Sequence, residues 1–157
     1  RTLLPYQLRN VAHLCSLPAA ANFSVPGAGK TTEALAYYFL TRDSSDRLLI
    51  VSPKNAFVAW EDELPACVPN CDFSFVRLTG GQEVIQSILS QEPRAIIISY
   101  HQLPNVLGPV AEYILNNPVY VFLDECHRIK KGETGVHGSA VLSIAPFAKR
   151  KIILFSF

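Results

Sequence analysis

SVPGAGKTT, residues Ser24–Thr32, stands between a short strand-prone stretch, Asn22–Ser24, and a helix-patterned run from Lys30 to Leu40. The full phosphate-loop pattern has glycine in its first slot, where this sequence has Ser24. Its GxGK[ST] core is intact as Gly27, Ala28, Gly29, Lys30 and Thr31. Strand, glycine loop, then helix is the order that gives such a core its meaning. Glycines let backbone N–H groups curl around phosphate oxygens. The helix start adds unsatisfied donors and the positive end of its dipole. Lys30 is placed to neutralise the outer phosphates and the Thr31 hydroxyl to hold Mg2+. Pro26 and Thr32 flank the core on either side.

Further along, VYVFLDECHRIKK (Val119–Lys131) ends an apolar run on Asp124 and Glu125. Adjacent carboxylates at a strand end are costly unless a positive charge faces them. A Mg2+–nucleotide complex in the same crevice supplies that charge. Asp124 then acts on the metal, and Glu125 orients or deprotonates the attacking water.

Between these motifs the chain alternates strand-like and helix-like runs. RLLIVS, RAIIISY and VYVFLD are continuously apolar, as strands buried on both faces of a parallel sheet are. The pattern predicts strands at Asn22–Ser24, Leu48–Ser52, Phe73–Leu78, Ala95–Ser99, Val119–Leu123 and Ile152–Phe155. It predicts helices at Pro5–Leu17, Lys30–Leu40, Ala56–Leu64, Glu83–Gln91, Pro109–Asn116 and Ser139–Ile144. Gly132–Gly138 (GETGVHG) reads as a mobile loop. The rhythm is that of an α/β, doubly wound domain, in which ligands gather beyond the carboxyl ends of the strands.

Composition narrows the class. With 157 residues the chain has the length of one domain. Apolar residues at 49% and charged ones at 17% exclude a disordered chain. No apolar run reaches the roughly 18 residues of a membrane span, and no signal-peptide pattern opens the chain. The chain starts at Arg1 without Met, from which we expect processing or truncation. A net charge of +1 gives no general attraction to nucleic acid, so any basic footprint is local. Cys15, Cys67, Cys71 and Cys126 are scattered, which suits reduced thiols in a cytoplasmic protein better than a zinc site.

In their order, these segments resemble the first RecA-like lobe of a superfamily-two helicase or translocase. They are most similar to the Swi/Snf-type ATPases, as a bacterial relative. LLPYQLRNVAHL resembles the family's opening LxxYQ segment, SVPGAGKTT motif I, and SPKNAFVAWEDEL motif Ia, with Pro53, Trp60 and Glu63 in its P…NW…E pattern. VRLTGG, IISYHQL and DECHRIKK resemble the strand–glycine segment, motif Ib and the DEAH-type motif II. Cys126 replaces the usual alanine of motif II. KRKIILFSF reaches the position of motif III without its SGT, Ser156 being the remnant. The resemblance implies a three-layer, RecA-like P-loop NTPase domain with a mostly parallel sheet over residues 1–157. A second such lobe, absent from these residues, would supply an arginine finger.

The resemblance also implies ATP and Mg2+ as cofactors. Gln7 reads the adenine, and His127 and Arg128 couple nucleotide state to DNA. A duplex DNA backbone would cross Ser52, Lys54, Asn55, Gly80, Gly81, Ser99 and His101. Trp60, at helical spacing from Phe57 and Leu64, reads as core rather than as a base-stacking platform. The implied activity is a DNA-dependent ATPase that translocates along duplex DNA. A restriction or phage-defence motor shares motifs I and II, and a nucleotide-regulated binding module without turnover is the reading from another class.

Overall fold

A computed structural model describes Pro5 and residues 19–22, 29–124 and 134–154. Among these residues the strands are β1 (Ala19–Asn22), β2 (Arg47–Ser52), β3 (Val76–Arg77), β4 (Ala95–Ser99), β5 (Val119–Asp124) and β6 (Arg150–Leu154). The helices are α1 (Lys30–Thr41), α2 (Phe57–Cys67), α3 (Gln82–Ser90), α4 (Leu107–Asn116) and α5 (Thr134–Ile144).

The six strands form one sheet in the order β1-β6-β5-β2-β4-β3. Every pairing is parallel, so all carboxyl ends lie along one edge. Right-handed crossovers dictate the layers. The chain steps one way across the sheet from β1 to β2 and on to β3, then back through β4, β5 and β6. Helices on the outward steps and on the return steps therefore cover opposite faces.

Side-chain alternation records this split. Leu48 and Ile50 of β2, with Tyr120 and Phe122 of β5, pack against Tyr37 and Tyr38 of α1 and Trp60 and Leu64 of α2. Leu49, Val51, Val119 and Val121 face the other way, against Ile85 of α3, Val110 and Tyr113 of α4 and Ile144 of α5. This three-layer α/β arrangement accounts for the unbroken apolar runs: neither face of β2 or β5 meets water.

Several boundaries depart from expectation. The first strand is described at Ala19–Asn22; of the expected Asn22–Ser24 only Asn22 lies among the described residues, and it is in the strand. An alanine run is a weak strand signal, and it is backbone pairing with β6, from Ala19 opposite Lys151 to Asn22 opposite Leu154, that makes it one. The strand expected over Phe73–Leu78 shrinks to Val76–Arg77 at the sheet edge. Phe75 instead turns into the aromatic face, and Phe73 stacks on Phe39 with ring centroids 6.0 Å apart.

α2 runs through Pro65 to Cys67 rather than ending at Leu64. Pro65 is exposed and in the last turn, where a missing N–H costs one helical bond. The loop expected over Gly132–Gly138 is corrected as well. From Thr134 onward it is the first turns of α5, whose later residues Ala140, Val141 and Ile144 anchor the helix. Of the helix expected over 5–17, only Pro5 is described.

Candidate functional site

Gly29 caps α1 with φ 77° and ψ 36°, a left-handed conformation that favours glycine. Its carbonyl accepts the Glu33 N–H at 3.0 Å, and no side chain caps the helix. Lys30, Thr31 and Thr32 form the first turn, where helix N–H groups point along the axis toward an incoming anion.

Asp124 ends β5 with 2% of its surface exposed. Lys30 Nζ lies 3.0 Å from Asp124 Oδ1. The Trp60 indole N–H donates to Asp124 Oδ2 at 2.9 Å, and the Tyr100 hydroxyl donates to the Asp124 carbonyl at 2.9 Å. The lysine of the glycine motif and the strand-end aspartate, remote in sequence, thus meet directly. β6 lies between β1 and β5 in the sheet.

The Thr32 hydroxyl donates to Glu63 Oε1 at 2.5 Å, and the Cys67 thiol donates to the same oxygen at 3.3 Å. Thr32 is buried, so its side chain faces α2 while its backbone stays in the first turn. Thr31 is half-buried beside it.

The residues present fit a magnesium ion. Asp124 Oδ1 is buried and, among the described residues, makes its ion pair with Lys30 outside hydrogen-bonding geometry. That leaves a hard carboxylate oxygen oriented toward positive charge, with the Thr31 hydroxyl as the second oxygen donor expected of such a site. Gln7, Pro26, Gly27, Ala28, Glu125, His127 and Arg128 lie outside the described residues, as does Ser156.

The residues expected to meet DNA fall on the same carboxyl edge, beyond β2, β3 and β4. Lys54, Asn55, Gly80 and His101 are exposed. Ser52 is buried with its hydroxyl on the Pro53 carbonyl at 3.1 Å, and Ser99 is half-buried, accepting the Gln102 N–H at 3.1 Å. Ser52 thus lies beneath its loop, while Ser99 keeps part of its surface exposed. Gln102 also donates to the Gly80 carbonyl at 3.0 Å, lacing the loops after β3 and β4 together. Gly80 takes φ 103°, which a side chain would strain.

Three partners of this site were not legible as such. Trp60 is core, fully buried as expected, yet it also orients Asp124. A buried indole N–H needs an acceptor, which was the available signal. Glu63 and Gln102 gave none beyond their places in the motifs. Among the described residues no group of three or more His, Cys, Asp or Glu side chains could hold a metal ion, and Cys67 and Cys71 are free thiols.

Residues 22–155 match the family described as type III restriction enzyme, res subunit. The chain belongs to this family. With it comes the RecA-like lobe of superfamily-two helicases, a fold that uses nucleotide. The SWI2/SNF2 ATPase core of Sulfolobus solfataricus, solved in complex with double-stranded DNA, superimposes with a TM-score of 0.71 at 22% identity. That match covers 99% of this chain and 32% of the other. The Hef helicase domain of Pyrococcus furiosus gives 0.68 at 20% identity, over 96% and 32%. The chain thus spans about a third of the length of these two structures. No curated protein matches the sequence. Among the described residues no helix is long and apolar enough to cross a membrane.

Proposed function

We propose that this chain is the ATP-binding lobe of a cytoplasmic, DNA-dependent ATPase of Swi/Snf-like type that moves along duplex DNA. The observation that carries the reading is the meeting of Lys30 with the buried Asp124 at the carboxyl edge. Lys30 leaves the aspartate for the β- and γ-phosphates as the triphosphate enters, and the first turn of α1 receives phosphate oxygens on its N–H groups. Thr31 and Asp124 hold Mg2+, which when bound neutralises charge on the transferred phosphoryl group. Glu125 orients the attacking water and accepts its proton. Gln7 selects adenine, and Pro26, Gly27, Ala28 and Gly29 complete the loop, with Thr32 in the turn behind it.

A DNA backbone crosses Lys54, Asn55, Gly80 and His101, whose exposure on one edge supports phosphate contacts that carry no sequence preference. His127 and Arg128 couple the two ligands. A second RecA-like lobe of the same protein brings an arginine worth about 10³–10⁵ in rate, so this lobe alone turns over slowly.

The test is the ATPase rate of the full-length protein with and without duplex DNA. Stimulation abolished by Lys30→Ala and by Glu125→Gln is the expected outcome. ATP binding without stimulated turnover points instead to a nucleotide-regulated binding module. The family match favours a second reading, the motor lobe of a restriction or phage-defence enzyme. ATP-dependent cleavage of DNA by the full-length protein or its complex would select it.

A further inference from the structure

We propose that α2 is a strut linking the nucleotide site to the Lys54–Asn55 loop, with Trp60 and Glu63 as its two positioning residues. Three positions apart on a helix, they share one side. Each grips a different half of the site: Trp60 holds the Asp124 carboxylate at the end of β5, and Glu63 holds Thr32 in the first turn of α1.

A hydrogen bond to a carboxylate is stronger than a neutral one and sets the plane of the group. Asp124 is gripped on Oδ2 by the indole and on Oδ1 by Lys30. When Lys30 turns to phosphate, the indole is the grip that stays.

The body of the helix cannot slip past its neighbours. Phe57, Trp60 and Leu64 are each no more than 1% exposed, and close-packed interiors move by discrete shifts of whole elements. Its outer side is tied to β3, where Arg77 pairs with Glu61 through two nitrogens, at 2.9 and 2.5 Å. Its N-terminal end runs directly from the turn Lys54–Ala56, in which Lys54 and Asn55 are exposed. A phosphate captured there pulls on the same rigid element that orients Asp124 and Thr32. By linkage, nucleotide binding returns the effect to the loop. What binds at each end rests on the function proposed above.

The test uses the full-length protein with ¹⁵N-labelled tryptophan. The Trp60 indole resonance is assigned by its loss in Trp60→Phe. Magnesium with a non-hydrolysable ATP analogue, and separately a short DNA duplex, should each move that resonance. Trp60→Phe and Glu63→Leu should lower DNA-stimulated kcat about 5- to 100-fold, a coupling of ordinary size. KM for ATP should change little, and Glu63→Gln, which keeps an acceptor for Thr32, should recover most of the loss.

If calorimetry shows nucleotide and DNA both binding while the indole resonance stays fixed and the variants keep full stimulation, the strut is overturned and the proposed function stands. If calorimetry shows no magnesium-dependent nucleotide binding, both fall. Should Trp60→Phe fail to fold, the wild-type titration and the Glu63 pair still decide the question.

Discussion

A lysine–aspartate pair sits at each edge of the sheet, and the two have different fates. At the carboxyl edge Lys30 faces Asp124, with side-chain exposures of 17% and 3%. At the amino edge Lys149 faces Asp46, at 2.7 Å and 32% and 1%. Asp46 is bonded through both oxygens: each accepts from Lys149, and Oδ2 also accepts the Asp43 N–H at 2.8 Å. Asp43 adds a second carboxylate to Lys149 at 3.0 Å. Among the described residues the Asp124 carboxylate is held by the Trp60 indole and by its ion pair with Lys30. Asp46, bonded through both oxygens, acts as a structural pin, whereas Asp124 Oδ1, which meets Lys30 outside hydrogen-bonding geometry, is the candidate for an incoming cation. The charges match, and the surroundings divide the roles.

The largest effect should come from Lys30→Ala, which breaks the pair on the functional side. Magnesium–nucleotide affinity should fall by at least about 100-fold. The buried Asp124 loses its cation, so urea unfolding should report a loss of about 3–5 kcal/mol. Asp124→Asn removes the charge but leaves an amide oxygen for the Trp60 N–H. Turnover should fall about 10²–10³-fold, with a smaller stability loss than in Lys30→Ala, as a magnesium titration of the ATPase and a melting curve would show.

On the structural side, Lys149→Ala strips the cation from the buried Asp46, but Lys149 is itself 32% exposed and Asp46 keeps the Asp43 N–H, so stability should fall by about 1–3 kcal/mol with nucleotide affinity unchanged. A change in affinity there would erase the distinction between the edges. Hydrogen bonds from Lys149 to Asp46, then to Asp43, raise its pKa above the ordinary value. Its contribution is therefore fully present below the unfolded lysine pKa of about 10.4 and is lost as pH rises through the higher folded value. Wild type and Lys149→Ala should converge in Tm only above that range. The smallest effect is expected from the exposed Lys54: Lys54→Ala should weaken duplex binding a few-fold and reduce the salt slope by about 1, with no change in Tm.

Much of this was legible along the chain. The apolar runs of β2, β4 and β5 announced strands covered on both faces, and the glycine loop announced the start of α1 to the residue. The alanines of β1 and the short β3 were not legible, because their strand character comes from a neighbour's backbone or is limited by an edge. Trp60 shows the division within one residue. Helical spacing with Phe57 and Leu64 was enough to place its ring in the core, but nothing local said where its N–H would point.

Residue order alone determined the sequence of elements, the start of α1 after the glycine motif and the acidic strand end, because periodicity and fixed-spacing motifs act over a few residues. Only the tertiary structure decided that Lys30 meets Asp124 rather than another carboxylate, that Trp60 and Glu63 of one helix bond to Asp124 and Thr32, and that Asp46 is bonded through both oxygens. Those outcomes depend on strand order and on which face each crossover covers, and such long-range choices leave no mark in any single stretch of the chain.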